Sequence, residues 1–290
     1  MTDNVQYTIF RNGSRTYFHS SLFFPQDIRK DVFALYAFVR TADDLVDSVP
    51  QKKDEFYDFC NRWDRSLSGE PTGDPVIDRF SELSERKKFS DTWTAAFLSS
   101  MESDLYISEY ESMAELDRYL YGSAEVIGLF MARILDLPDQ AFPEARSLGR
   151  AMQFVNFIRD IEEDLSFGRT YMPQEDLRQF GVPSLSYESS YRHPDQFVGF
   201  IRFEIERYRK WQEAAEVGYS AIPYRYLIPV RTASDMYNWT AGRIYRDPFV
   251  IYQRKVKPSI QRIIATICTN VIRIPVNRSC PKVRHPSHGL

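Results

Sequence analysis

Between Ala151 and Leu165 the chain is largely apolar, and its polar residues include one regular line. Gln153, Asn156, Asp160 and Asp164 follow one another at spacings of three, four and four, while Phe154, Val155, Phe157, Ile158 and Ile161 fill positions between them. On a helix those spacings set two amides and two carboxylates on one face. Burying such a stripe without partners is costly, so it reads as the lining of something that supplies them. Glu162 and Glu163 add negative charge nearby, and Arg159, with Arg169 in the following turn Gly168-Arg169-Thr170-Tyr171-Met172-Pro173, supplies positive charge. The bland alternatives are a solvent-facing stripe and a buried salt-bridge network.

A second acidic segment lies upstream. Asp43 and Asp47 are four residues apart, share a helix face about 6 Å apart along the axis, and have Asp44 one position round. Like charges at this spacing destabilise a helix, and the apolar Val32 to Val39 stretch before them implies that this helix is largely buried. Something cationic must therefore sit between them. Arg40, one turn earlier, helps locally, but converging carboxylates suit a hard divalent cation better.

The rest of the chain supports an all-α fold. Convincing series of short alternating segments are missing, whereas spacings of three and four recur in long blocks. Pro25 stands where a helix can begin, and Ile28, Val32, Leu35, Tyr36 and Val39 carry it on to Val49 before Pro50. Further helices are expected over 52–67, 75–88, 92–108, 112–136, 141–167, 195–219, 224–246 and 248–273, with 181–194 as a longer loop. The connections are short and contain Gly or Pro, as within one bundle. The expected organisation is one domain over 1–274 and a basic tail over 275–290.

Composition excludes several function classes. With 43% apolar residues in 290, the chain can bury a sizeable core. Its 37 basic and 40 acidic residues leave a net charge of −3, which gives no global attraction to nucleic acid. Three distant cysteines suggest neither a disulfide framework nor a zinc site, and point to a reducing cytoplasm. The N-terminus has no basic region followed by an apolar run, so no secretory signal is expected, and the apolar run Ile263 to Ile272 is too short to span a bilayer. Beyond Asp247 there is no acidic residue but there are eight basic ones, among them Lys255, Lys257 and Arg262. This end reads either as a solvated face and tail or as an attractor of anions, whether a peripheral membrane surface or a substrate's diphosphate. His19, His193, His285 and His288 have no useful spacing and read as surface residues.

Two acidic helices facing each other across a bundle suggest a diphosphate clamp. Mg²⁺, or Mn²⁺ in its place, is commonly shared between one or two carboxylates and substrate phosphates, which stabilises charge as a carbon–oxygen bond ionises. Neither G-x-x-x-x-G-K-[ST] nor G-x-G-x-x-G occurs, so a glycine-rich phosphate loop is not the route.

With these residues in view, the chain resembles the head-to-head prenyl synthases, the family of squalene, dehydrosqualene and phytoene synthases, over roughly residues 7 to 260. The most specific piece is Asn156-Phe157-Ile158-Arg159-Asp160-Ile161-Glu162-Glu163-Asp164 with the turn through Pro173, and Ser14-Arg15-Thr16-Tyr17 is similar to the family's diphosphate-contacting segment. The resemblance implies an isoprenoid-synthase helical bundle with a central cavity. It implies metal ligation by Asp43, Asp47, Asn156, Asp160 and Asp164, and substrate contacts from Ser14, Arg15, Arg40, Gln153, Asn156, Arg159, Arg169 and Tyr171. Tyr119, in a segment similar to the family's kinked helix, would stand beside the reacting carbons, and Glu125 departs from the small residue usual there. Tyr121, Phe23, Phe24 and Phe249 are further candidates for an aromatic wall facing cations. Ser20-Ser21-Leu22-Phe23-Phe24-Pro25 is closer to prokaryotic phytoene synthases, which implies two geranylgeranyl diphosphates as substrates and no NADPH. Condensation of two farnesyl diphosphates is the alternative, and a class I terpene cyclase or a non-catalytic relative are further ones.

Overall fold

A computed structural model describes residues 2–273, apart from the side chains of residues 2–4 and 15–16. The tail expected from residue 275, with Cys280, His285 and His288, lies outside the described residues. Among the described residues there is no strand, only an isolated bridge between Glu109 and Thr170. The chain begins with α1 (Thr2–Gly13), α2 (Arg15–Ser21), α3 (Gln26–Asp47), α4 (Lys53–Ser66), α5 (Pro75–Lys87), α6 (Asp91–Ser103) and α7 (Met113–Leu120). It continues through α8 (Val126–Ile134), α9 (Phe142–Arg159), α10 (Ile161–Ser166), α11 (Gln174–Phe180), α12 (Tyr187–Arg192), α13 (Pro194–Val217), α14 (Tyr224–Arg246), α15 (Val250–Gln253) and α16 (Ile260–Arg273).

The helix expected from Pro25 is α3, and its apolar stripe is buried as the spacing predicts. Phe38 is fully buried and stacks on Phe80 of α5 with ring centroids 4.0 Å apart. That contact fixes α3 against the N-terminal half of the bundle and leaves Asp43 and Asp47 at its C-terminal end. At the centre, α9 packs between α8, α13 and α14. Buried Phe154, Val155 and Ile158 drive that packing and turn the face carrying Gln153 and Asn156 toward α3 and α14.

Several expected helices are interrupted. The helix expected over 112–136 contains a π turn at Tyr121–Glu125, where the Val126 N–H reaches back five residues to the Tyr121 carbonyl. Two side-chain effects accompany this turn. Gly122 lies so close to α6 that a Cβ there would sit 2.2 Å from the Ala96 carbonyl oxygen. Glu125, 2% exposed, accepts from Arg146 Nε at 2.7 Å and Arg150 Nε at 2.6 Å on α9. The residue that departs from the family pattern is thus a buried, doubly paired carboxylate inside the kink.

The helix expected over 141–167 breaks at Asp160 (φ −102°, ψ 15°), whose side chain is held by the neighbouring Arg159. The four-residue bonds from Asp160 N to Asn156 O and from Asp164 N to Asp160 O survive the break, so the stripe stays in register. The segment 248–273 splits because Pro258 cannot join a helix interior. The 181–194 loop carries α12, capped by Ser186 Oγ, an end signal that periodicity alone overlooks.

α9 touches the π turn and α8 through glycine: a Cβ on Gly149 would lie 2.3 Å from the Ala124 carbonyl oxygen in the turn, and one on Gly128 of α8 would lie 2.1 Å from that of Ala145. Gly149→Ala should therefore lower stability by about 1–3 kcal/mol, despite the better helix propensity of alanine. Urea unfolding checks this, and an unchanged or raised midpoint would contradict so tight a contact between α9 and the π turn.

Candidate active site

The two acidic segments meet through Arg169. Its Nη1 donates to Asp47 Oδ1 at 2.6 Å and its Nη2 to the Val46 carbonyl at 2.7 Å, at the C-terminal end of α3. Its own backbone N–H is bonded to the Asp164 carbonyl at 2.9 Å. Gly168, at φ +73°, permits that turn. Arg40 pairs with Asp43 at 2.9 Å and also with Asp44. Arg159 grips Asp160 through Nε at 2.9 Å and through a second, shorter contact, while Lys255 approaches Asp160 at 3.4 Å and pairs with Glu163. Of the basic residues beyond Asp247, Lys255 thus faces an acidic motif.

These carboxylates repel one another. Desolvation first and the charge of Asp47 second push the Asp43 carboxyl up to about 8. Desolvation, then Asp160 and Asp47, does the same to Asp164, also to about 8. Since Asp47 acts on Asp164 from the other helix, the two motifs share one electrostatic site.

Among the described residues, no three Asp, Glu, His or Cys side chains gather into a closed metal cage. The donor set instead fits a cation whose ligands are shared with phosphate: hard oxygens from two helices, with mutual repulsion that a cation would relieve. One observation bears on this directly. Asn156 Nδ2 donates to Gln153 Oε1 at 3.2 Å, while Asn156 Oδ1 is buried with no hydrogen-bond partner. An orphaned amide oxygen beside Asp160 is a ligand position for a hard ion.

Below this mouth runs an apolar cavity of about 290 Å³. The stripe Glu144, Leu148, Met152 and Asn156 of α9 forms one wall, and Ala124, Gly128, Ala132 and Leu135 form another. Tyr36 and Val39 of α3, one to two turns before Asp43, line it as well. Gln153 and Asn156 are therefore where the polar mouth joins the apolar interior.

The expected residues distribute unevenly around this site. Asp43, Asp47, Asp160, Asp164, Arg40, Arg159, Arg169, Gln153 and Asn156 surround the mouth. Ser14 Oγ accepts from Tyr17 N at 3.3 Å and caps α2, and the side chain of Arg15 lies outside the described residues. Tyr119 and Tyr171 do not line the apolar cavity, and the Tyr171 hydroxyl lies 3.4 Å from Arg169 Nη1. Both hydroxyls donate to Asp104, at 2.7 and 2.8 Å, and Tyr171 stacks on Phe157 with centroids 4.2 Å apart.

Of the other aromatic candidates, Phe24 lines the cavity. Phe23 is 49% exposed, Tyr121 lies under Arg146, and Phe249 packs on Phe197. Their spacing could not reveal this, because an aromatic ring serves a core and a cavity wall equally well.

Asp104 was missed by sequence reading. It is buried, its carboxyl is pushed up to about 6 by desolvation, and Arg169 and the two tyrosine hydrogen bonds oppose that shift. Nothing in its local sequence marks it, since its partners come from two distant segments, Tyr119 at the end of α7 and the turn holding Arg169 and Tyr171. Tyr17 and Tyr237, ring centroids 5.7 Å apart, are also new at the mouth, and Tyr17 lines the cavity.

Comparison with known proteins agrees with this geometry. Residues 10–262 match the squalene/phytoene synthase family. A 15-cis-phytoene synthase of Synechocystis sp. is 29% identical over 83% of this chain and 76% of its own length. Another from Synechococcus elongatus is 24% identical over 91% and 90%. Among solved structures, a dehydrosqualene synthase in complex with ligand superposes with a TM-score of 0.84 at 20% identity, covering 93% of this chain and 95% of its own. The squalene synthase HpnC from Alicyclobacillus acidocaldarius superposes with a TM-score of 0.75 at 22% identity, covering 86% and 94%. These structures share the fold, and the family match sets aside the terpene cyclase reading. On a match that spans most of its length, the chain belongs to the squalene/phytoene synthase family of prenyltransferases.

Proposed function

We propose that the protein condenses two geranylgeranyl diphosphates head to head, through a cyclopropylcarbinyl diphosphate, into phytoene, with release of two diphosphates. The observation that carries this reading is the seating of an acidic, arginine-braced mouth directly over an apolar cavity: a charged head group above, an isoprenoid tail below. The phytoene synthases among its relatives support the C20 version.

Mg²⁺ bound by Asp43, Asp47, Asn156, Asp160 and Asp164 would neutralise the leaving diphosphate. Arg40 and Arg159 would bind diphosphate oxygens, and Lys255, held near Asp160, is within reach of the same anion. Arg169 keeps Asp47 turned toward Asp164. The apolar walls exclude water from the cations that follow ionisation, so these are not quenched as alcohols. Each of the two steps ends in loss of a proton, for which the departing diphosphate is the nearest strong base. No reductant is required for the phytoene product. The protein contains no helix long and apolar enough to cross a membrane among the described residues, and we propose a cytoplasmic enzyme in peripheral contact with membrane.

Incubation with Mg²⁺ and C20 or C15 allylic diphosphates, followed by mass analysis of the hydrocarbon, tests the reading. A C40 hydrocarbon with a conjugated central triene is expected from the C20 substrate. A C30 product alone would favour the farnesyl alternative, and no C30 or C40 product with or without NADPH would refute the proposal. Asp43→Ala and Asp160→Ala should each lower turnover by at least about 10²–10³-fold with helical content unchanged, and wild-type rates would contradict the clamp.

The raised pKa values of Asp43 and Asp164 predict a pH signature. A carboxyl whose folded pKa lies above its unfolded value of about 4 contributes stability that is present below pH 4 and lost as pH rises toward 8. Bound Mg²⁺ reverses that loss, because it binds the deprotonated forms. The rise in Tm caused by Mg²⁺ should therefore be larger at pH 8 than at pH 6, and an equal rise at both would contradict ligation by these two groups.

Asp104 positions rather than reacts. Asp104→Ala strands two buried tyrosine hydroxyls and should cost about 2–4 kcal/mol. Asp104→Asn keeps an acceptor for one tyrosine and should recover most of that stability. If both variants match wild type in urea, the tyrosine clamp has no structural role.

A further inference from the structure

Resting on the reading above, we propose that Glu125 is a positioning residue: Arg150 latches it to Asp117, the latch closes only on the π turn, and the turn sets the cavity wall for the condensation. Asp117 on α7 and Glu125 at the end of the turn are eight residues apart. On an unbroken α-helix eight residues turn through about 800°, which leaves the two side chains about 80° apart around the axis. The π turn takes up one additional residue, because the Val126 N–H reaches back five positions and not four. Across it eight residues turn as seven do, through about 700°, and the two carboxylates come within about 20° of one another.

One guanidinium registers that alignment. Arg150 Nη1 donates to Asp117 Oδ1 at 2.9 Å, and its Nε donates to Glu125 Oε1 at 2.6 Å with Nη2 against the same oxygen. Arg146, one turn earlier on α9, donates from Nε to the other Glu125 oxygen at 2.7 Å. The Arg146 guanidinium also lies 5.3 Å from the ring centroid of Tyr121, the first residue of the turn. α9 thus holds the turn at both ends, and α7 before it. The Arg150 guanidinium lies over the Trp211 ring of α13, 5.1 Å from its centroid, so the bridge is packed as well as paired.

The cavity lies on the other flank. Ala124, inside the turn, and Ile127 and Gly128, just after it, line the wall. Before the turn, the Tyr119 hydroxyl is held by Asp104 at 2.7 Å. Relaxing the π turn to an α turn rotates one side against the other by about 100°, so the wall and the tyrosine clamp cannot both stay in place. Condensation needs C1 of one isoprenoid held over a double bond of the other, and a misplacement of about 1 Å can cost about 10²-fold in rate. None of Asp117, Glu125, Arg146 and Arg150 lines the cavity, and their ion pairs are with one another and not with a mouth carboxylate. Loss of the latch should therefore slow the chemical step and spare substrate binding.

The test separates the latch from the reaction. Arg150→Lys keeps the charge, but its compact ammonium serves one carboxylate at a time; Glu125→Gln keeps the shape and removes the charge. In both, amide hydrogen exchange over residues 121–128 of the full chain should quicken by at least about tenfold, while α3 exchanges as in wild type. Asp117→Asn, at a side chain 40% exposed, does the same with least threat to folding, and should add little in the Arg150→Lys background because both break one bridge. With Mg²⁺ and the C20 diphosphate, kcat of Arg150→Lys and Glu125→Gln should fall at least about tenfold with KM within about twofold of wild type. Wild-type exchange in all three variants would overturn the latch, whether or not the protein makes hydrocarbon. Quickened exchange with wild-type kcat, or with a rise in KM alone, would overturn the positioning role. Quickened exchange beside a wild-type protein that forms neither C40 nor C30 hydrocarbon would refute the condensation, and the role that rests on it, and leave the latch standing.

Discussion

Acidic side chains from two helices are set around one half-dry mouth, and the site exists only because positive charge is interleaved with them. Arg169 is the central interaction. It reaches from the turn after α10 to Asp47 and to the Val46 carbonyl, so the C-terminal end of α3 and the second motif are held by one guanidinium. Its planar fork allows this where an ammonium would serve one partner at a time. The arrangement is deliberately incomplete: Asp43 and Asp164 still hold protons well above the normal range. Desolvation first and mutual repulsion second hold those protons, and a metal-bound diphosphate would offset both, so the same charges that burden the fold by itself favour the loaded one.

The scaffold follows from this requirement. α9 must present polar groups at one end of a stripe and apolar groups along the rest, and it meets α8 and the π turn before it closely enough that Gly128 and Gly149 are needed where the backbones touch. The π turn before α8 is kept by a buried carboxylate, Glu125, paired with Arg146 and Arg150 of α9. A charged network on one flank of the α8–α9 pair thus sets the shape of the apolar cavity on the other. Behind the mouth, Asp104 ties Tyr119 and Tyr171 together, and their rings pack against Phe157.

Much of this was legible from spacing. The three-four-four stripe survives the break at Asp160, and Asp43 and Asp47 lie on the buried α3 as the apolar run before them implies. What spacing could not reveal depends on partners distant in sequence. Asp104 is unremarkable until Tyr119, Tyr171 and Arg169 converge on it. The Tyr119 hydroxyl is held by Asp104, which spacing could not show, because a tyrosine bonded to a buried carboxylate and one facing a ligand look alike in a string of residues. Two of the interruptions within long helices coincide with local side-chain contacts, Arg159 on Asp160 and the pair Arg146 and Arg150 on Glu125, that periodicity averages away.

The central claim is that this mouth recognises diphosphate through a shared metal ion and not through its arginines alone. Calorimetric titration of inorganic diphosphate, with and without Mg²⁺ and in buffers of different ionisation enthalpy, tests it most directly. The account predicts at least about hundredfold tighter binding with Mg²⁺, accompanied near pH 7 by release of protons from Asp43 and Asp164. Binding of equal strength without Mg²⁺, or no proton release, would contradict it.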